Sequence, residues 1–419
     1  MTAAHKQSAI RTALAGLIGN VLEWFDFAVY GYFASVIGEQ FFPKADATAQ
    51  KLLSYGVFAI GFGARPIGSV VLGRVGDRIG RRALLTLSIG LMGGATLALG
   101  LLPTYAQVGY LAPLLLVLMR VVQGFSLGGE FTGSMVYTTE LASPVMRGLI
   151  SSSTAAGTTL GFILGSASAY VVGVSLSDAD VASWGWRIPF IGSVVFCIAG
   201  WFLRRGIVEP EEGAKAKQKR APLLESLIAD WRPIVQTFGI VAMTNCAYYV
   251  TFAFAPDLHK KAPDADSFLL VNTIILFVVL ASKPLGGWVS DKIGRRRLMI
   301  VLTLAMMALV PLGLHLMQEP SPRSFAIGQL LMAVPLGMAL GMQGAMVVEI
   351  FPLRSRVTSM SIAYSITLAA AGGSAPLIAT WLIDNFGRLA PAYYAMMFGV
   401  VGLAIMWPMK ETNDRSLDH

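Results

Sequence analysis

The sequence predicts an all-α integral membrane protein, with twelve transmembrane helices in two six-helix bundles. Three observations predict it. Of 419 residues, 55% are hydrophobic and only 13% charged, about half the charged share of a soluble globular chain. Twelve apolar stretches approach or exceed the roughly 20 residues that a helix needs to cross a hydrocarbon core. The second half of the chain also repeats the loop pattern of the first. The 44 glycines fit the same class, because small residues let membrane helices pack backbone to backbone.

The predicted spans are residues 13–37, 51–73, 83–103, 110–139, 148–173, 188–206, 233–255, 266–288, 298–317, 324–348, 357–383 and 390–409. The first follows `MTAAHKQSAIRTALAGLIGN`, which lacks a small-residue cleavage site at the usual place and so reads as a retained helix, not a signal peptide. If both termini are cytoplasmic, 22 of the 32 Lys and Arg residues fall on that side and 7 on the other. This bias places both termini in the cytoplasm of a bacterial inner membrane. The charged stretch between spans six and seven contains Pro210 and Pro222. It reads as a linker, 208–232, between an N-terminal bundle (1–207) and a C-terminal bundle (233–419).

The halves echo each other. `GRVGDRIGRR` (Gly73–Arg82) follows span two and `GWVSDKIGRR` (Gly287–Arg296) follows span eight, 214 residues later. `ELASPVMR` (Glu140–Arg147) is matched by `EIFPLRSR` (Glu349–Arg356), 209 residues later. Two matches at nearly one offset indicate parallel repeats about an axis along the membrane normal.

Other classes are excluded. The +8 formal charge lies between apolar runs and forms no basic, aromatic-interleaved surface, which argues against nucleic acid. There is no nucleotide-binding loop and no Cys or His set with metal spacing, so neither an enzyme nor a cofactor is expected. Cys197 and Cys246 sit in apolar runs as packing residues. None of His5, His259, His315 and His419 reads as a midplane proton carrier.

The chemistry lies in charges placed inside the spans. `GNVLEWFDFAVYGYF` carries Glu23 and Asp26, three apart and therefore on one helix face. Asn20 and Tyr30 extend that stripe. A carboxylate at membrane depth costs about 2.5–3.5 kcal/mol on insertion scales, so such groups face the bundle interior or a wet cavity. A symporter needs such a titrating group, which makes Glu23 and Asp26 candidate proton sites. The alternative is a permanent pairing with an Arg of a neighbouring helix. In `RVVQGFSLGGE`, Arg120, Gln123 and Glu130 can line one cavity, while Gly124, Gly128 and Gly129 form a small-residue strip. Arg120 suits a substrate carboxylate bidentately; its alternative is an internal acid. Glu130 is a second proton site or a packing counter-ion. Arg65, before the helix-disrupting Pro66, lines the cavity or pairs with span one. Lys283 snorkels to the interface or faces inward, where it favours an anion. The interior acids Glu23, Asp26 and Glu130 balance Arg65, Arg120 and Lys283, so protonating one acid leaves a positive cavity. In the second half, Asn245, Tyr248, Gln343 and Tyr364 are candidate hydrogen-bonding groups. Trp24, Phe25 and Tyr248 form a cation–π box for a quaternary ammonium or simply pack helices.

Over essentially its whole length the sequence resembles the major facilitator superfamily, through `GRVGDRIGRR` and its degenerate copy. More narrowly it resembles the metabolite:proton symporters, through `GNVLEWFDFAVYGYF`, `ARPIGSVVLGRVGDRIGRR`, `RVVQGFSLGGEFTG`, `WGWRIPF` and `MKET`. Members move citrate, 2-oxoglutarate, shikimate, proline or betaine with a proton. `GGEFTG` and `PAYYAMM` look close to the osmolyte carriers, although the chain stops soon after `MKET` without their frequent coiled-coil tail. The resemblance implies a structural role for Arg65. It also implies a gating network of Asp77, Arg81, Arg82, Glu140, Arg147, Asp291, Arg295, Glu349 and Arg356 that locks the halves together. The expected function is proton-coupled import of a small carboxylate-bearing metabolite, such as a di- or tricarboxylate, by alternating access. Its partners are the substrate, protons and the bilayer, and the chain is expected to be a monomer. Arg120, Gln123, Tyr30, Asn245, Tyr248 and Gln343 would bind the substrate. The alternatives are a zwitterionic osmolyte of the proline or betaine type and a receptor that binds without transport. The many buried charges argue against efflux of apolar drugs.

Overall fold

The computed structural model describes residues 20–43, 47–79, 81–128, 130–205, 223–260, 262–413 and 417. Among them every regular element is helical. In hydrocarbon each backbone N–H and C=O must find its partner within the protein, and a helix satisfies them locally.

Among the described residues, twelve helices form the frame. They are α1 (residues 20–41), α2 (Ala47–Leu72), α3 (Arg81–Leu101), α4 (Leu111–Glu140), α5 (Pro144–Ser175), α6 (Arg187–Phe202), α7 (Trp231–Asp257), α8 (Ala265–Ile293), α9 (Arg295–Met317), α10 (Pro322–Ile350), α11 (Arg356–Phe386) and α12 (Ala390–Met406). Of these, α2, α4, α5 and α7 to α11 are each long and apolar enough to cross a bilayer alone. α6 reaches that length together with Asp178–Gly185, across a 44° bend. Every predicted span overlaps one of the twelve. The predicted linker lies largely outside the described residues, and a short helix, Leu223–Ala229, leads into α7.

Breaks in the helices have local causes. α2 is interrupted at Ala64, just before Arg65 and Pro66, where proline cannot donate to the ladder. α7 and α11 each contain a π-helical turn, Val250–Phe254 and Leu368–Gly373. Such turns recur at functional sites, and Tyr248 of the site described below precedes the first.

Close packing explains the glycine strip. A Cβ on Gly124 would lie 1.8 Å from the Gly61 carbonyl, and one on Gly128 would lie 2.0 Å from the Ser69 nitrogen, so α4 meets α2 backbone to backbone. Gly129 lies outside the described residues. The same crossing recurs 213 residues later: a Cβ on Gly337 would meet Val279 O at 2.7 Å and one on Gly341 would meet Lys283 O at 2.0 Å. The repeat seen in the loops therefore extends to the α2–α4 and α8–α10 contacts. Across the halves, α5 packs on α8 and α2 on α11.

Two of the sequence motifs finish helices. In `WGWRIPF`, Trp186 is buried edge-on against Phe41 and Phe190, and Arg187 donates to the Gly100 and Leu102 carbonyls at 2.9 and 2.8 Å, capping the end of α3. In `MKET`, Glu411 accepts from the Arg296 amide at 2.9 Å at the start of α9. The preceding Gly294 has φ +101°, a conformation that only glycine adopts without strain.

Gly124→Ala should force α2 and α4 apart and destabilise the N-terminal half by about 1–3 kcal/mol. The readout is the thermal midpoint of detergent-solubilised protein. Gly133→Ala on the same helix, where a Cβ meets nothing within 4 Å, should leave that midpoint unchanged.

Candidate functional site

Between the two halves lies a cavity of about 30 Å³. From the N-terminal half, α1 contributes Trp24, α4 contributes Phe131 and Met135, and α5 contributes Ser151, Ala155 and Thr158. From the other half come Asn245 and Tyr248 on α7, Lys283 on α8, Gln343 on α10 and Tyr364 on α11. The wall is mainly aromatic on one part. Trp24 lies edge-on to Phe131 at 5.7 Å, and Phe131 lies 5.5 Å from Tyr364. A polar chain holds the rest: Thr244 donates to Gln343 Oε1 at 2.6 Å, and Gln343 Nε2 donates to the Tyr364 hydroxyl at 3.0 Å. Asn245 is turned by its bond to the Val241 carbonyl at 2.9 Å. Of the aromatic trio read from the sequence, Trp24 and Tyr248 line this cavity, whereas Phe25 packs on Phe196 at 5.2 Å.

The candidate Arg120, Gln123 and Tyr30 lie off this wall, buried between α1, α3 and α4 with Asp26. This corrects the expectation that Arg120 and Gln123 share the cavity. Arg120 Nη1 binds Asp26 Oδ2 at 2.5 Å, while Gln123 Nε2 binds Asp26 Oδ1 at 2.8 Å and Thr96 at 2.9 Å. Both carboxylate oxygens are thus engaged. The Arg120 guanidinium also lies 3.8 Å from the centroid of the Tyr30 ring, and Tyr30 donates to the Ser54 carbonyl at 3.1 Å. The physical reason is that an arginine at this depth satisfies its charge with the nearest acid of its own bundle. A second pair, Arg65–Glu23 at 2.8 Å, joins α2 to α1, with the Arg65 guanidinium over Phe62, Phe27 and Trp24. Lys283 faces inward: it is 1% exposed, and its ammonium donates to Ala155 O at 2.5 Å and Thr158 Oγ1 at 3.0 Å across the halves.

Polar clusters close both ends of the interface. At the arginine-rich end, Asp291 accepts from the Gly148 and Leu149 amides at 2.8 and 3.0 Å, so an anion of the second half caps a helix of the first. Arg295 holds Asp291 at 2.8 Å and grips Glu349 through both Nε and Nη2. Arg356 reaches across to Glu140 at 2.7 Å, and Arg147 is buried nearby, its charge acting on Glu349. The side chains of Asp77, Arg81, Arg82 and Glu130 lie outside the described residues.

At the opposite end, Asp257 of α7 meets Lys51 at 2.6 Å, Ser35 at 2.8 Å and Tyr55 at 3.1 Å, all from the first half. Beneath it, Asn272 donates to Tyr32 at 2.8 Å and Ser166 at 3.0 Å, and Gln329 donates to Asn272 at 2.6 Å. In the sequence, Lys51 opens a predicted span and Asp257 lies two residues beyond the end of another, and nothing there marks them as a site. An acid at the end of the seventh helix facing a base at the start of the second was the available signal. Nothing local links residues 206 positions apart.

Comparison with known proteins adds three findings. The family described as "Sugar (and other) transporter" matches residues 12–211, and the family described as "Major Facilitator Superfamily" matches residues 237–417. A proline/betaine transporter of Salmonella typhimurium is 32% identical over 96% of this chain and 84% of its own length. A glycine betaine/proline/ectoine/pipecolic acid transporter of Dickeya dadantii is 31% identical over 96% of this chain and 83% of its own. Among solved structures, the xylose transporter XylE of E. coli in a partially occluded inward-open form superposes with TM-score 0.77 at 20% identity, covering 98% of this chain and 100% of that one. That last likeness concerns the fold.

If the two clusters are gates, weakening each should open its own end. A cavity cysteine, Ser151→Cys with Cys197 and Cys246 replaced by Ser, should react with a membrane-impermeant thiol reagent from the arginine-rich face in a Glu349→Gln background. In an Asp257→Asn background it should react from the other face. Labelling from the same face in both backgrounds would show that these contacts do not gate.

Proposed function

We infer transport of a zwitterionic osmolyte from one premise: the chain belongs to the major facilitator superfamily, among its metabolite:proton symporters. The relatives carry proline and betaine in their names, which sides with the zwitterion over the di- or tricarboxylate that the sequence favoured. The observation that carries this reading is the composition of the cavity wall. Trp24, Phe131, Tyr248 and Tyr364 line it, with the amide residues Asn245 and Gln343 beside them. Ring faces attract a desolvated quaternary or secondary ammonium. A di- or tricarboxylate would instead call for several free cations, and Arg65 and Arg120 are committed to Glu23 and Asp26.

The transport cycle runs by alternating access in the bacterial inner membrane. The cavity volume of about 30 Å³ is that of a water or so, far below an osmolyte. With ion pairs at both ends, this conformer is closed, and a substrate enters when one end parts. Following the charge bias, the arginine-rich end faces the cytoplasm.

We assign the coupling proton to Asp26. Protonation removes its charge and leaves Arg120 without an anionic partner in a low-dielectric site, a change large enough to move α1. α1 also carries Trp24 of the cavity wall and Glu23, whose partner Arg65 lies over the Trp24 ring. One rigid helix therefore joins the proton site to the substrate site. Lys51–Asp257 and the Asp291–Arg295–Glu349 cluster serve as the two gates.

Purified protein in proteoliposomes should accumulate glycine betaine when the external side is made acidic. Asp26→Asn should abolish accumulation while keeping exchange of labelled for unlabelled substrate; accumulation intact and independent of pH would remove Asp26 from the role. Binding without any gradient-driven uptake would support a receptor instead. Trp24→Ala should raise the Kd for glycine betaine about three- to thirty-fold, the worth of one desolvated cation–π contact, as measured by calorimetry.

A further inference from the structure

The three cations counted within the spans are not equivalent. Arg65 and Arg120 each lie against a carboxylate of their own half, at 2.8 and 2.5 Å. Lys283 is equally buried but has two neutral acceptors, the Ala155 carbonyl and the Thr158 hydroxyl. Among the described residues no carboxylate stands within ion-pair distance of it. An ammonium has three donors and no acceptor. Two neutral partners therefore leave one donor and the charge itself uncompensated, which is costly away from water. Lys283, Ala155 and Thr158 all stand in the wall of the cavity that holds Trp24, Tyr248 and Tyr364. The uncompensated charge thus borders the aromatic chamber between the two halves.

We infer that Lys283 anchors the substrate's carboxylate, and that the cavity reads its ligand at two points. The cationic head lies against the aromatic wall, and the carboxylate takes the Lys283 donor that the protein leaves open. This rests on the zwitterion reading above and sharpens it: one cation at the wall selects a single carboxylate, and the aromatic surface alone would accept any quaternary ammonium. The competing role for Lys283 is a strut between α8 and α5, which would affect every ligand alike.

The experiment compares glycine betaine with choline, which has the same trimethylammonium head and a hydroxyl in place of the carboxylate. Binding to the full chain in nanodiscs is measured by calorimetry. The wild type should prefer glycine betaine about tenfold or more, the worth of a hydrogen bond to a charged group. Lys283→Met should raise the Kd for glycine betaine by a similar factor and leave that for choline within about twofold. Lys283→Arg should keep the preference. Should the methionine variant not fold, Lys283→Gln, which retains a donor for Ala155 O, carries the same test. Equal losses for both ligands identify a strut and overturn the anchor, as do unchanged affinity for glycine betaine in a variant that still binds choline and a wild type that does not distinguish the two ligands. A wild type that binds neither glycine betaine nor proline overturns the osmolyte reading itself, and the anchor with it.

Discussion

The structure depends on one constraint: an ionised side chain taken out of water must be matched by opposite charge or by dipoles at contact distance. The N-terminal half meets this for Arg65 and Arg120 with its own acids. Arg120 lies on Asp26, with Gln123 supplying the remaining bond to the carboxylate. Arg65 lies on Glu23 above a floor of rings. These pairs tie α1 to α2 and α4, and so place Trp24 against the second half. The positions of the pairs thus decide what is left, among the described residues, to face the cavity: rings, amides, hydroxyls, small and aliphatic side chains, and Lys283.

The same constraint operates differently at the two ends of the interface. There the matched charges come from opposite halves, as in Asp257 with Lys51, Asp291 with the start of α5, and Arg356 with Glu140. A charge satisfied within a half keeps its partner when the halves part, and loses it only if the acid takes up a proton. One satisfied across the interface is lost whenever the halves part, so its partners report conformation. Between the two ends, the glycine contacts of α2 with α4 and of α8 with α10 keep each bundle rigid. Rigid bundles joined by polar contacts at each end are what rocking about a central site requires.

Within that frame the substrate question becomes one of charge left over. A multivalent anion would need the arginines that the acids of α1 already hold. A zwitterion asks for a ring face and a single cation, and the curated relatives carry such molecules in their names. Likeness to XylE supports the fold and is silent on the ligand, because the two chains share 20% identity.

Sequence alone determined the twelve spans, because hydrophobic length and the absence of charge act locally along the chain. It determined the internal repeat, because `GRVGDRIGRR` and `GWVSDKIGRR` share residues at fixed spacing. It also singled out Glu23, Asp26, Arg120 and Lys283, because a charge inside an apolar run is visible without any partner. What it could not determine was who meets whom. Arg120 fits a substrate carboxylate and Asp26 equally well by type, and a distance of 94 residues along the chain says nothing about 2.5 Å in space. Lys51 and Asp257 are unremarkable near the ends of spans until the halves bring them to 2.6 Å. Lys283 could have snorkelled, and only the packing of α8 on α5 turned it inward. Burial is a property of one residue and leaves its mark in composition; pairing belongs to two residues in three dimensions, and the tertiary structure alone decided it.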